Sequence, residues 1–225
     1  MRTYSALFEF YNAVTVAACI VLVLGLVVSV ALYKKLDGMH KSLAVYLGLM
    51  LGVDLLSRLV GYVLSNNNLI VMFIFTFIEL SFFMYFYKRH LFKKRQRALT
   101  LIGFAGLAYM VGEALLIFVF RGLDFKQFQP YSKVVDNFII ILMALGYLHE
   151  KMNRFREDRW GNFRLNSIIL VFFTLNTIVF LPFNFMINEK SGVQFYFLTG
   201  NAIVISLFNL YLMYEIWKNG RIQTL

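Results

Sequence analysis

The chain has 225 residues, of which 60% are hydrophobic and 15% charged, whereas a typical soluble domain has roughly 45–50% apolar and about 25% charged residues. This composition excludes an ordinary soluble globular protein and predicts burial in a lipid bilayer. The net charge of +10 would suit nucleic acid, but the basic residues cluster at the ends of apolar runs. That distribution is typical of membrane topology signals, so no nucleic-acid partner is expected.

Seven apolar runs follow one another along the chain, each near the length of about 20 residues that a helix needs to cross the hydrocarbon core. The first is longer than the apolar core of about 7–15 residues in a cleavable signal, so we expect it to remain as a helix. Pro182 is expected to kink the sixth. The runs predict an all-α integral membrane protein with a single seven-helix domain over residues 1–225. They cover residues 10–33, 42–64, 69–87, 98–120, 131–148, 165–187 and 193–217.

Lysine and arginine residues are divided unevenly between the two sides of the predicted bundle. The segments after the first, third and fifth runs and the C-terminal tail hold 16 of them. The N-terminus and the segments after the second, fourth and sixth runs hold 5, with Lys133 counted in the segment before the fifth run. Because cytoplasmic loops carry the excess of positive charge, the N-terminus is predicted to lie outside and the C-terminus in the cytoplasm of a plasma (inner) membrane.

The densest group of basic residues follows the third run. Beside a membrane, such a group is typical of contact with anionic lipid headgroups, and a docking surface for an acidic partner is the alternative. Its residues are Lys88, Arg89, Lys93, Lys94, Arg95 and Arg97.

An internal repeat is indicated by two short polar segments, residues 65–68 and 188–191. Aligning Asn66 of the first with Asn188 of the second gives an offset of 122 residues, which places Asp54 over Asn176 and Glu79 over Asn201. Residues 10–88 would then match residues 131–217 in a parallel 3+1+3 repeat, with residues 98–120 as the linker helix. Only six identities occur over residues 46–88 at this offset, so the matched polar pairs carry most of the argument.

This 3+1+3 plan is similar to that of sugar transporters and semi-transporters. Seven helices with the N-terminus outside also resemble rhodopsins and G-protein-coupled receptors. Both are likenesses of architecture alone, because the Pro-Gln motif of one transporter group is absent. In addition, the seventh run has no lysine for a retinal Schiff base before Lys218. The two likenesses imply transport in one case and sensing in the other.

Five of the charged residues inside the apolar runs are candidates for a function, because a charge at a helix centre costs about 2.5–3.5 kcal/mol and therefore needs a partner or a role. Asp54 and Arg58 are spaced i, i+4 on one face of the second run, which should face the interior. Glu79, at similar depth, is expected to join them in one cluster. Glu113 and Asp136 lie in the outer halves of their runs, and Asp136 is expected to reach toward water.

The candidate ligand-binding or ion-binding set combines these charges with the two asparagines that the repeat aligns with them. The alternative for each residue is structural, as an internal ion pair or an interhelical hydrogen bond. The set consists of Asp54, Arg58, Glu79, Glu113, Asn176 and Asn201.

No catalytic motif or metal-ligand spacing is present in the sequence, and the three histidines lie far apart at predicted helix ends. The sequence therefore predicts neither an enzyme nor a cofactor. The leading hypothesis is a sensor of a small ligand or stimulus that signals through a separate partner protein at the cytoplasmic loops. The alternative is a small-molecule or proton-coupled transporter. The bilayer is the first expected partner, and Gly48 and Gly52 form a GxxxG pair suited to a second copy of the chain.

Overall fold

The computed structural model describes residues 2–63, 69–94, 96–120, 131–152, 162–182 and 193–222. In this part of the chain the structure is helical, and seven helices are long and apolar enough to cross a membrane. The predicted helical content and number of candidate spans are confirmed. The helices are α1 (Arg2–Leu32), α2 (Gly38–Val63), α3 (Leu69–Phe86), α4 (Arg97–Phe118), α5 (Ser132–Met152), α6 (Phe163–Phe180) and α7 (Val193–Ile222).

The ends of α3 and α6 differ in geometry from the predicted runs. α3 continues into a π-helical turn, Tyr87–Leu91, in which the amide of Phe92 donates to the carbonyl of Tyr87 at 2.8 Å. α6 ends at Phe180, and Leu181 and Pro182 follow as a turn. Proline lacks the amide proton that an α-helix needs, so the helix ends before Pro182 where a kink within a longer helix was expected. Residues 183–187 of the predicted run lie outside the described residues.

The chain forms two compact units. The first contains Met1–Val71 and Glu189–Leu225, and therefore α1, α2 and α7. In this unit α7 packs along α1, and both contact α2. Gly25 of α1 allows close approach, since a Cβ atom there would lie 3.1 Å from Leu47 of α2 and 3.8 Å from Met213 of α7.

The turn between α1 and α2 is tied to the end of α7 through Asp37. Its carboxylate accepts a hydrogen bond from the amide of His40 at 2.8 Å, and another from the side chain of Asn219 at 3.2 Å. Partial burial favours the neutral acid, but the hydrogen bonds from His40 and Asn219 outweigh it, and they hold the pKa of Asp37 below its ordinary value. The ionised carboxylate thus caps the first turn of α2.

The second unit, Met72–Asn188, contains α3 to α6. Half of each of the candidate spans formed by α3 and α5 is buried, more than for any other helix. α5 packs directly against α4 and α6. α3 meets its neighbours through large side chains, with ring centroids 5.7 Å apart for Phe73 and Phe118 and 4.9 Å apart for Phe83 and Phe173. α3 and α5 therefore supply the interior of this unit.

The 3+1+3 repeat of residues 10–88 and 131–217, with the linker 98–120, stays a prediction. The polar segments 65–68 and 188–191, whose alignment defines the offset, lie outside the described residues. The predicted orientation of the helices also stays a prediction.

Candidate functional site

One face of α5 carries polar side chains at its beginning and apolar side chains further on. The buried residues recur at spacings of three and four, as expected for the interior face of a helix. They include Ser132, Lys133, Asp136, Asn137, Ile140, Met143, Ala144 and Tyr147. The first turns of this helix therefore bring ionisable groups into the interior of the second unit.

Lys133 is the centre of a buried ion cluster. Its ammonium group donates to the carboxylate of Glu79 on α3, and to Oδ2 of Asp136 at 2.8 Å. The three side chains are at most 2% exposed. The rings of Phe75 and Phe173 lie 4.5 Å and 5.7 Å from the lysine nitrogen, so aromatic faces complete its surroundings. We call Glu79, Lys133 and Asp136 the charge cluster.

The charges of this cluster do not balance. Two carboxylates face one ammonium group, so the fully ionised cluster carries one net negative charge in a setting that stabilises charge poorly. Within the described residues, Oδ1 of Asp136 is buried and has no hydrogen-bond partner. A buried net negative charge of this kind is unfavourable unless a positive group compensates it.

A hydrogen-bonded contact fixes the register of α3, α5 and α6. The hydroxyl of Tyr87 donates to Oδ1 of Asn166 at 2.8 Å, and the amide of Asn166 donates to the carbonyl of Ala144 at 3.2 Å. Glu79 and Asp136 lie eight residues from Tyr87 and Ala144, which corresponds to about 12 Å at 1.5 Å per residue. The two carboxylates therefore lie at one level of the unit.

Two buried asparagines lie at the same level as these carboxylates, and some of their side-chain amide atoms have no hydrogen-bond partner among the described residues. Asn137 is fully buried, and neither of its amide atoms has a hydrogen-bond partner among the described residues. Asn176 of α6 is also buried, ten residues beyond Asn166, or about 15 Å along the helix. Its Oδ1 atom likewise has no partner in the described part of the chain. Buried side-chain amides without hydrogen-bond partners are unusual in proteins, and their free atoms are donors and acceptors for a bound molecule.

Glu113 of α4 holds the N-terminus of α5. Its carboxylate accepts hydrogen bonds from the amides of Tyr131 and Ser132, both at 2.9 Å, and one from the hydroxyl of Ser132. These are amides that the first turn of a helix leaves unpaired, and a negative charge is favourable at that end. Glu113 thus positions the turn of α5 that carries Lys133.

Asp54 and Arg58 form the predicted pair, in the first unit. Nε of Arg58 donates to Oδ2 of Asp54 at 2.9 Å, and Nη2 donates to the carbonyl of Thr15 on α1 at 3.1 Å. The side chains are 41% and 32% exposed for Arg58 and Asp54. The pair is therefore not the enclosed interior site that was expected, because α1 covers only one side of it.

The pairing of Asp54 and Arg58 should be visible in a mutant cycle. Arg58→Leu and Asp54→Leu each leave one charge without its partner, whereas the double variant leaves none. We expect the double variant to be more stable than the sum of the single losses implies, with a coupling energy of about 1 kcal/mol for this half-exposed pair. Unfolding of the three variants in detergent measures this, and additive losses would show that the two side chains do not interact.

The structure distributes the six candidate residues over both units. Asp54, Arg58 and Asn201 belong to the first unit, and Glu79, Glu113 and Asn176 to the second. Of the residues of the predicted cluster, Asp54 and Arg58 pair with each other in the first unit, and Glu79 binds Lys133 in the second. Asn201 of α7 is buried, and its Oδ1 atom has no hydrogen-bond partner in the described part of its unit.

Lys133 was not predicted as a site residue, because it was counted among the basic residues of the segment before the fifth helix. α5 begins at Ser132, and Lys133 lies inside it. Asp136 is fully buried and does not reach toward water. The spacing of Lys133, Asp136, Asn137 and Ile140 on one helical face was the available signal.

No family model, curated protein or solved structure matches this chain. No group of three or more histidine, cysteine, aspartate or glutamate side chains that could hold a metal ion is found among the described residues. Interpretation of the site therefore depends on its own geometry.

Proposed function

We propose that this protein is an integral membrane sensor, which detects a small ligand or stimulus at the charge cluster and passes the signal to a separate partner protein. The observation that carries the proposal is what lies at the two ends of α5. The charge cluster lies at one end of this helix, and Glu150 at the other end accepts hydrogen bonds from a basic segment. The basic segment comprises residues 88–97.

Glu150 connects α5 to this segment through three hydrogen bonds. Its Oε1 accepts from the backbone amides of Lys93 and Lys94, both at 3.2 Å, and its Oε2 accepts from the side-chain amide of Gln96 at 3.3 Å. Fourteen residues separate Asp136 from Glu150, about 21 Å along the helix. One continuous helix thus joins a buried ion site to a positively charged segment.

The proposed signal is a change in the charge of the cluster. A proton or cationic group that binds to the surplus carboxylate would weaken the ion pairs that Asp136 and Glu79 form with Lys133. A ligand can shift such an equilibrium only by the difference between its affinities for the two states. Because α5 is held at both ends by specific bonds, a displacement of about 1–2 Å at the cluster would be transmitted to the basic segment.

The proposed setting is a plasma (inner) membrane, with the N-terminus outside and the C-terminus in the cytoplasm. This orientation is supported by the distribution of basic residues. Once Lys133 is assigned to α5, the lysine and arginine residues outside the predicted apolar runs divide 16 to 4 between the two sides. The basic segment would then lie in the cytoplasm, where a signalling partner could contact it.

We also propose that the protein forms a homo-oligomer through α2. A Cβ atom at Gly48 would lie 3.6 Å from Leu26 of α1, whereas a Cβ atom at Gly52 would meet nothing within 4 Å. The surface of α2 at Gly52 is therefore open to a second copy of the chain, as the GxxxG spacing suggests.

Transport is the second candidate, and the surplus carboxylate favours it. A proton-coupled carrier needs a buried group that takes up and releases a proton within the membrane. The charge cluster, with two carboxylates and one lysine, has the composition for that role.

A flux assay and a cross-linking experiment distinguish the sensor from the transporter. In proteoliposomes with an imposed proton gradient, a sensor should cause no proton or solute flux above that of empty liposomes. After cross-linking in native membranes, it should be recovered with a distinct protein, and the yield should fall when Arg89 and Lys93 are replaced by glutamine. Flux that disappears in Glu79→Gln, without a captured protein, would contradict the sensor and support the carrier.

A further inference from the structure

A cavity of 820 Å³ lies between α3 and α4, with Met143 of α5 contributing to its lining. This volume is within the range of about 300–1,000 Å³ that small-molecule sites have. Met84 of α3 lines the cavity and packs against Gly103 of α4, where an added Cβ atom would lie 2.6 Å from the end of the methionine side chain. The charge cluster does not line this cavity.

The two ends of the cavity differ in chemistry. One end is lined by Lys88, Lys93 and Lys94, and no acidic side chain is among the described residues that line it. The amides of Lys93 and Lys94 are held by Glu150, which fixes the backbone that carries two of these lysines. This end therefore presents three positive charges from an ordered segment.

The other end is apolar and extends along the candidate spans. Leu107 lies ten residues into α4 from Arg97, about 15 Å along the helix. Phe104 and Tyr85 line the cavity and are 61% and 55% exposed. A molecule lying in the surrounding hydrocarbon could therefore enter from the side, past two aromatic rings.

We propose that this cavity binds one anionic phospholipid, with its headgroup on Lys88, Lys93 and Lys94 and an acyl chain along Met84, Phe104 and Leu107. The combination of charge at one end and a lipid-facing apolar wall matches an amphiphile with a negative headgroup. Each lysine near an anionic headgroup strengthens binding about fivefold. A soluble anion such as free phosphate would use the lysines but not the apolar wall.

Native mass spectrometry can test this by titrating the detergent-purified full chain with phosphatidylglycerol or phosphatidylcholine of identical acyl chains. We expect one phosphatidylglycerol to bind at least tenfold more tightly than phosphatidylcholine. The variant Lys88→Gln/Lys93→Gln/Lys94→Gln should bind it roughly 100-fold more weakly. Leu107→Trp, which fills the apolar end and keeps all three charges, should also lose the bound lipid.

The matched control is Lys34→Gln/Lys35→Gln/Lys41→Gln, which removes the same charge from the first unit. Its affinity should stay within about threefold of the unmodified protein. Equal binding of the two lipids, retained binding by Leu107→Trp, or an equal loss in the control would overturn the proposal, since each would indicate only diffuse attraction. Displacement of the lipid by inorganic phosphate at a similar concentration would also overturn it, because the occupant would then be a soluble anion.

Discussion

Lys133→Met is expected to cause the largest loss of stability of any single substitution considered. The change keeps most of the side-chain volume but removes the only positive charge of the charge cluster, so Glu79 and Asp136 are left facing each other in the interior. Removal of one partner from a buried ion pair typically costs about 3–5 kcal/mol. Unfolding in mixed detergent micelles by a denaturing detergent measures this loss.

Neutralising the two acids should reverse the effect. We expect Lys133→Met/Glu79→Gln/Asp136→Asn to recover most of the lost stability, because no buried charge then lacks a partner. Lys34→Met, at an exposed lysine, should change stability by no more than about 0.5 kcal/mol. A single variant that is as mild as Lys34→Met, or a triple variant less stable than Lys133→Met, would show that the cluster is not held by its charges.

Glu113→Ala is expected to have the second largest effect. The substitution removes the acceptor for the amides of Tyr131 and Ser132 and for the Ser132 hydroxyl, and of these donors the two of Ser132 are buried and that of Tyr131 is partly buried. Each buried donor left unsatisfied costs about 1–3 kcal/mol, and water entering the space left by the side chain would reduce the sum. We therefore expect a loss of about 2–4 kcal/mol, measured by the same unfolding experiment.

Ser132→Ala provides the comparison, since it removes the hydroxyl and leaves both amide hydrogen bonds to Glu113 in place. Its loss should be about 1 kcal/mol. If Glu113→Ala and Ser132→Ala cost the same, the carboxylate does not cap α5, and the ligand-binding role predicted for Glu113 from the sequence becomes the better interpretation.

The helices were predictable because the signal for them is local and strong. A run of about 20 apolar residues is too long for most other structures, and seven such runs indicate seven helices. The Asp54–Arg58 pair was predictable for a similar reason, since i, i+4 spacing brings two side chains together on any helix.

The partners of Glu79 and Glu113 were not predictable from local sequence. Glu79 meets Lys133 across 54 positions, and Glu113 meets Ser132 across 19. Both contacts depend on how α5 packs beside α3 and α4. Lys133 was counted with the segment before the fifth run, although that run begins at residue 131 and the helical spacing of Lys133, Asp136 and Asn137 was visible.

The central claim is that the charge of the cluster controls the position of the far end of α5. Spin labels at Arg89→Cys and Met152→Cys, in a Cys19→Ser background, report the distance between the ends of α3 and α5 in lipid nanodiscs. Asp136→Asn removes the surplus negative charge, and Asp54→Asn is the control in the first unit. The account predicts that Asp136→Asn shifts the distance by about 1–2 Å or more, and that Asp54→Asn leaves it unchanged. Identical distance distributions in the labelled protein without a further change, in Asp136→Asn and in Asp54→Asn would contradict it.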